Sequence, residues 1–170
     1  AASEAAVPMG IVGAGCGATV GKARGCVPST GGVGSACVGD DDTGVVVGAL
    51  AVVNSVGNVV GPDGTVVAGA RDAVSGAPVD VATRMVEAEE GANTTVAVVA
   101  TNAMLTPEEA SHVASVAHEG MARVVKPAHT RYDGDTVFAL ATGVVTADAD
   151  IVGGLAADAL AAAIIRAVSH

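Results

Sequence analysis

Aromatic side chains are nearly absent from this 170-residue sequence: Tyr132 and Phe138 are the only two, and there is no tryptophan. A core without large rings has to be closed by Ala, Val, Leu, Ile and Met in tightly apposed layers. Basic residues are scarce too, eight Lys and Arg against 18 Asp and Glu, for a formal net charge of -10. Affinity for a phosphate backbone depends on Lys and Arg displacing counterions, so this balance argues against a nucleic-acid partner. Only three cysteines occur, Cys16, Cys26 and Cys37, an odd number with no CxxC spacing. They imply neither a disulfide framework nor a structural zinc site, and reduced thiols fit a cytoplasmic setting. No metal or cofactor is called for. The apolar stretches at 44–53 and 155–168 fall short of the roughly 20 residues that span a bilayer, so no membrane segment is expected. The start, Ala1-Ala2-Ser3-Glu4, has no initiator Met, no basic region and no following apolar run of signal length; it reads as a chain joined in the middle.

What is present in quantity is small and apolar. Hydrophobic residues make up 51% and charged residues 15%, with mean hydropathy +0.55, which excludes a disordered acidic chain and fits one packed domain over 1–170. Residues 10–39 are glycine-rich and read as an irregular, site-like loop region. The β-branched run 44–53 predicts a strand buried on both faces, ending at Asn54. Val59-Val60 and Thr65-Val66-Val67 flank Gly61-Pro62-Asp63-Gly64, a hairpin signal. Residues 69–92 read as an exposed, partly helical linker with an acidic tip at Glu87, Glu89 and Glu90. A central strand is expected over 94–101. Thr106-Pro107-Glu108-Glu109 is a capping box in front of a helix whose buried face is Ala110, Val113, Ala114, Ala117, Met121 and Val124. A loop at 126–135 leads to a strand over 136–142 and a helix over 155–168. Helices covering stacked sheets make an α/β layered sandwich.

Several motifs fail on inspection. A phosphate loop from Gly15 to Lys22 would need Gly at position 16 and Ser or Thr at 23, where the chain has Cys16 and Ala23. A dinucleotide fingerprint lacks its third glycine at Val20. His112 and His118 are six residues apart, which puts them on different helix faces, and His118-Glu119 lacks the HExxH partner; both read as solvent-facing or capped. The acids at Glu87–Glu90 read as a solvated charge run, and Asp40-Asp41-Asp42 as a turn.

One constellation survives. Thr94 follows the acidic linker and opens a buried strand, so cleavage between Asn93 and Thr94 would place a new α-amine beside the Thr94 hydroxyl. Such an amine titrates near ~7.7 and can take the hydroxyl proton while Oγ attacks a carbonyl. The same hydroxyl can drive the cut, attacking the Asn93 carbonyl and moving the acyl group from nitrogen to oxygen, with water opening the ester. On chemistry alone a Thr-Thr pair at the head of a strand is normally a structural feature.

The segments Asn93-Thr94-Thr95-Val96-Ala97-Val98-Val99-Ala100-Thr101-Asn102-Ala103, Ala117-His118-Glu119-Gly120-Met121-Ala122-Arg123, Pro127-Ala128-His129-Thr130 and Asp133-Gly134-Asp135-Thr136-Val137-Phe138-Ala139 together resemble the nucleophile-bearing part of the DmpA-type aminopeptidase family. The Asn-Thr-Thr start and the Asp-Gly-Asp-Thr loop resemble its nylon-oligomer hydrolase branch. Positions 13–22 and Val52-Val53-Asn54-Ser55-Val56-Gly57 fit as well, so the resemblance runs over nearly the whole chain.

The resemblance implies an αββα sandwich of the DmpA and ornithine acetyltransferase type, built from residues 1–93 and 94–170 after self-cleavage and assembled into homo-oligomers of such pairs. It makes Thr94 the nucleophile, with Lys22, Asn54, Asp133 and Asp135 around it. Asn54 would aim its amide N–H at the oxyanion; its plain alternative is a turn cap. Asp133 and Asp135 could converge only if the loop bends at Gly134. One would orient the Thr94 amine or hydroxyl, and the pair could receive the amino end of a substrate; the plain alternative is an Asp-Gly turn. Lys22 would neutralise the acids and hold the Thr94 hydroxyl, or else be a surface cation. The implied activity is hydrolysis of a linear amide, in a small peptide or an oligoamide. Family members carry a segment before the glycine-rich stretch that is not seen here, so the sandwich is expected to be incomplete at the N-terminus. Two other functions stay open: acyl transfer of the ornithine acetyltransferase type, and a non-catalytic fragment or assembly subunit.

Overall fold

The computed structural model describes residues 5–84 and 93–169; the acidic tip of the expected linker, with Glu87, Glu89 and Glu90, lies outside them. Three short strands, β1 (Thr19–Val20), β2 (Cys26–Val27) and β3 (Ser29–Thr30), precede the long pair β4 (Gly32–Asp40) and β5 (Val45–Val53). Then come β6 (Asn58–Val60), β7 (Val66–Ala68), β8 (Arg71–Asp72), β9 (Val96–Ala103), α1 (Pro107–Val124), β10 (Val125–Lys126), β11 (Thr136–Val145) and α2 (Ala149–Val168). The main sheet has the order β11-β9-β5-β4. Its first three strands in the chain run antiparallel, while β11 returns parallel to β9 through α1. Both helices lie on one face of this sheet, α2 over β4 and β5, α1 beside β11.

Alternation in β5 shows why. Val45, Val47, Ala49, Ala51 and Val53 are buried against the helices, where Met121, Leu160 and Ile164 are fully enclosed, each contributing about 1.5–3 kcal/mol by leaving water. The residues between them face the other way. Across that second face Leu50 pairs with Val98 and Val98 with Phe138, and Phe138 and Leu140 are 58% and 59% exposed. So β5 is buried on one face and not on both, as its unbroken apolar run had predicted.

Further expectations change. Within the region read as irregular, β4 is a regular nine-residue strand. Its glycines are there for close approach: a Cβ on Gly32 would stand 2.4 Å from the Ala167 carbonyl oxygen, and one on Gly34 2.0 Å from that of Ala163. Gly120 does the same for α1, where a Cβ would fall 2.0 Å from the Ala157 oxygen. Helix α2 starts six residues before the expected 155, at Ala149, because Asp148 caps it by accepting from the Asp150 N–H at 2.8 Å. At 20 residues it has the length and composition of a membrane-crossing helix, yet more than half of it is buried in the core. The described part of the linker is not simply exposed: Ala70, Val79 and Val81 are buried in a small second core with Val56 and Ala23. Strand β9 begins at Val96, two residues after the proposed cut, and β11 runs on to Val145. The hairpin at Gly61–Gly64 forms with Val60 opposite Val66. The capping box of α1 is complete, although Ala110 and Ala114 sit at the margin of its buried face. The Asp40 side chain closes the turn before β5 by accepting from Thr43 Oγ1 at 2.6 Å and from the Asp42 N–H at 3.2 Å.

Candidate active site

The site forms where three connections meet at one end of the main sheet: the loop before β2, the turn after β5, and the 126–135 loop lying against the head of β9. Gly21 makes the first meeting possible. With φ of 81° and a virtual Cβ 2.0 Å from the Ala70 nitrogen, no other residue fits there. Its N–H and that of Lys22 donate to the carbonyls of Gly57 and Val56 at 3.0 and 2.8 Å, which carries Lys22 to the end of β5.

Lys22 is half-buried there, and its Nζ donates to Asn54 Oδ1 at 2.8 Å, to the Thr19 carbonyl at 2.9 Å and to the Ser55 carbonyl at 3.2 Å. Burial pulls its ammonium down to about 8, with the negative charge of Asp133 opposing that shift. Asn54 Oδ1 also accepts from the Thr19 N–H at 3.2 Å. Two donors on the oxygen fix which branch of the amide carries the NH2. Asn54 and Thr94 line one cavity of about 270 Å³ together with Ala14, Cys16, Gly17, Ala18 and Val52. A larger cavity of about 710 Å³, between the Gly61–Gly64 turn and the helices, holds none of these groups; chemistry, not volume, marks the smaller one.

Thr94 is bonded differently from expectation. Its hydroxyl donates to the carbonyl oxygen of the preceding residue, Asn93, at 2.7 Å, while Lys22 spends its donors on Asn54 and two backbone carbonyls. The same Asn93 oxygen accepts the Gly134 N–H at 2.7 Å. Asn93 is itself buried and bridges in parallel to Asp133, and its Nδ2 donates to the Tyr132 carbonyl at 3.4 Å. The carbonyl of the 93–94 peptide is thus held between a nucleophile-type hydroxyl and a backbone donor.

The two acids straddle Gly134 and serve different partners. Asp133 accepts from the Val56 N–H at 3.0 Å, and from the Thr130 N–H and Oγ1 at 3.1 and 2.6 Å, tying the loop to the turn after β5. Asp135 Oδ1 accepts the Thr95 N–H at 3.0 Å, and its Oδ2 is 2.9 Å from His129 Nδ1. The bend at Gly134 therefore turns the carboxylates apart and presents the glycine's own backbone to Thr94. A Cβ on Gly134 would lie 2.8 Å from Thr94 Oγ1.

Residue patterns alone missed three participants. The Gly134 N–H carries no side-chain signal at all. His129, and His118 stacked edge-on against it at 4.9 Å, were obscured because the two rings come from different elements, the 126–135 loop and α1. His112 bonds Asp150 at 3.0 Å, away from the site. Among the described residues no cluster of metal-ligating side chains occurs, and Cys16, Cys26 and Cys37 are free thiols.

The chain is similar to known proteins over nearly its whole length. The profile of peptidase family S58 matches residues 1–170. An uncharacterized aminopeptidase of Mycobacterium leprae is 40% identical over 198 residues, an alignment covering 97% of this chain and 50% of that protein. The 6-aminohexanoate-oligomer endohydrolase of Paenarthrobacter ureafaciens is 36% identical over 143 residues, covering 79% of this chain and 40% of that one. Among solved structures, a Burkholderia β-aminopeptidase superposes with a TM-score of 0.65 at 26% identity, over 95% of this chain and 46% of its own. The L-aminopeptidase D-Ala-esterase/amidase of Ochrobactrum anthropi, described as a variant of the Ntn hydrolase fold, superposes with a TM-score of 0.67 at 20% identity, over 97% of this chain and 46% of its own, and shows the shared fold. The chain spans about half the length of the curated relatives it matches.

Proposed function

Because the chain belongs to peptidase family S58, we propose that it is the nucleophile-bearing part of an amide hydrolase that cuts itself between Asn93 and Thr94. Thr94 then acts as the N-terminal nucleophile. The observation that carries this reading is the double engagement of the Asn93 carbonyl oxygen, by Thr94 Oγ–H and by the Gly134 N–H, each at 2.7 Å.

In that arrangement Oγ adds to the Asn93 carbonyl carbon, the oxygen takes negative charge against the Gly134 N–H, and the Oγ proton passes to the departing Thr94 nitrogen. Water opens the resulting ester, leaving a carboxylate on Asn93 and a free amine on Thr94. That amine serves as base when Oγ next attacks an external amide. Asn54 supplies the oxyanion donor for the second reaction, with Lys22 holding its amide oxygen. The substrates are linear amides, the N-terminal bond of a small peptide or the bond of an ω-amino-acid oligomer, a class to which the 6-aminohexanoate-oligomer endohydrolase also points. The processed pairs assemble into homo-oligomers.

Denaturing mass spectrometry of the purified protein tests this directly. Fragments 1–93 and 94–170 are expected, the second with Thr94 at its N-terminus, and Thr94→Ala should stay whole and inert. A cut elsewhere, or full amide turnover in Thr94→Ala, removes the assignment.

A further inference from the structure

Beyond the groups around Thr94 itself, the loop holds a histidine whose placement is over-determined. His129 has φ of 52°, the sole positive value at a non-glycine position among the described residues, a backbone state that persists only where its surroundings enforce it. Two contacts do so, and a third secures the first of them. Nδ1 lies 2.9 Å from Asp135 Oδ2. The ring meets that of His118 edge-on, at 4.9 Å and 63°. And Asp135, its side chain only 4% exposed, has its other oxygen on the Thr95 N–H. An ionised carboxylate accepts and cannot donate, so opposite it the imidazole contributes Nδ1–H. His118 is held below the usual imidazole range, first by burial and then by the positive charge of His129, against the pull of Asp135. It packs edge-on behind its partner.

We propose that His129 is a positioning residue for Thr94 that acts through Asp135: its Nδ1–H fixes the rotation of the carboxylate, and the second oxygen then pins the Thr95 N–H and with it the pitch of the nucleophile. The inference rests on the reading of Thr94 given above. It assigns His129 no contact with the reacting atoms. Without the imidazole donor, Asp135 is free to turn, and the peptide carrying Thr94 loses its lateral anchor two residues before β9 begins.

Asparagine and aspartate separate this role from a structural one. Both tolerate a left-handed backbone and both are the same size, but Asn places an amide N–H near the Nδ1 position whereas Asp places a second acceptor against Asp135. The readout is the first-order rate of the 93–94 cut, followed by mass spectrometry in the full chain, with the thermal midpoint as a check on folding. H129N is expected to cut within about threefold of the parent and H129D at least ~10-fold slower, the factor that losing a hydrogen bond to a charged group produces. If H129D does not fold, H129G with and without added imidazole decides: restoration by imidazole supports the role, and a rate unaffected by it overturns the role. Equal rates in H129N and H129D also overturn it. A parent chain that is never cut, or a T94A chain that still is, removes the reading of Thr94 itself; a T94A chain that stays whole beside indifferent His129 variants removes only the positioning role.

Discussion

Gly134→Ala isolates the placement of Thr94, the proposed nucleophile, from everything around it. An alanine Cβ there would stand 2.8 Å from Thr94 Oγ1, with its next neighbours, the Asn93 oxygen and Thr94 Cβ, at 3.8 and 3.9 Å. Ordinary contact begins near 3.4 Å, so the hydroxyl alone has to retreat, by roughly half an ångström. Gly134 is not among the positive-φ residues, and the substitution keeps its N–H on the Asn93 carbonyl. Backbone strain and the oxyanion donor are thereby left out of the perturbation. Folding stability should change by no more than about 1 kcal/mol, in either direction, as for Gly→Ala at a compatible φ. Misplacing a reacting atom by an ångström costs on the order of 100-fold, so half of that displacement should slow the 93–94 cut by about 10-fold. The assay is the time course of intact chain against fragments 1–93 and 94–170 by mass spectrometry, paired with a thermal melt. A variant that folds like the parent and is cut at the parent rate would show that Thr94 Oγ is not the attacking atom, or does not attack from the position it holds here.

Four further outcomes follow from the same geometry. Asn54→Ala should lower turnover of a linear amide by ~100- to 1,000-fold, as for removal of an oxyanion donor, and should spare the 93–94 cut, whose carbonyl is held by Gly134; equal losses in both rates would refute the division of labour. With Lys22 held at about 8, kcat should decline as pH rises through that value, because the ammonium that secures the Asn54 oxygen is being lost. The folded value lies below the ordinary 10.5, so the unfolded chain binds more protons between about 8 and 10.5 and stability should rise across that window; Lys22→Met, compared by thermal melts, should lack this rise. Gly34→Ala puts a Cβ 2.0 Å from the Ala163 oxygen and 2.5 Å from the Ala167 nitrogen, which should destabilise the fold by at least ~1–3 kcal/mol through overpacking, read as a lower unfolding midpoint.

Much of the framework was legible because local rules and tertiary context agreed. The β-branched run of β5, the Pro-Asp-Gly hairpin and the Thr106 capping box each formed in place. Disagreement arose where glycine served packing rather than turning: Gly32 and Gly34 made β4 look like loop, and their reason lies 130 residues away in α2. Gly153 and Gly154 likewise hid the first turns of that helix, although Asp148 was available as its cap. At the site, the family resemblance pointed to Thr94, Lys22, Asn54, Asp133 and Asp135, where residue types alone left plain structural alternatives open, and the fold brings all five to one end of the sheet. Their pairings were not legible. Which oxygen Lys22 reaches depends on how Gly21 is pressed against Ala70, and the Gly134 N–H belongs to the backbone, about which side-chain patterns are silent.

Strand β9 lies inside the sheet, hydrogen-bonded to β5 on one side and β11 on the other, while α2 is seated on β4 and β5. Breaking the 93–94 bond therefore divides the chain through its core without opening it: β4 and β5 stay with the first piece, β9, α1, β11 and α2 with the second. Folding then changes molecularity. Unfolding an uncut chain leaves the two pieces joined, whereas a cut protein would come apart into them, and its midpoint should climb more steeply as the protein is concentrated.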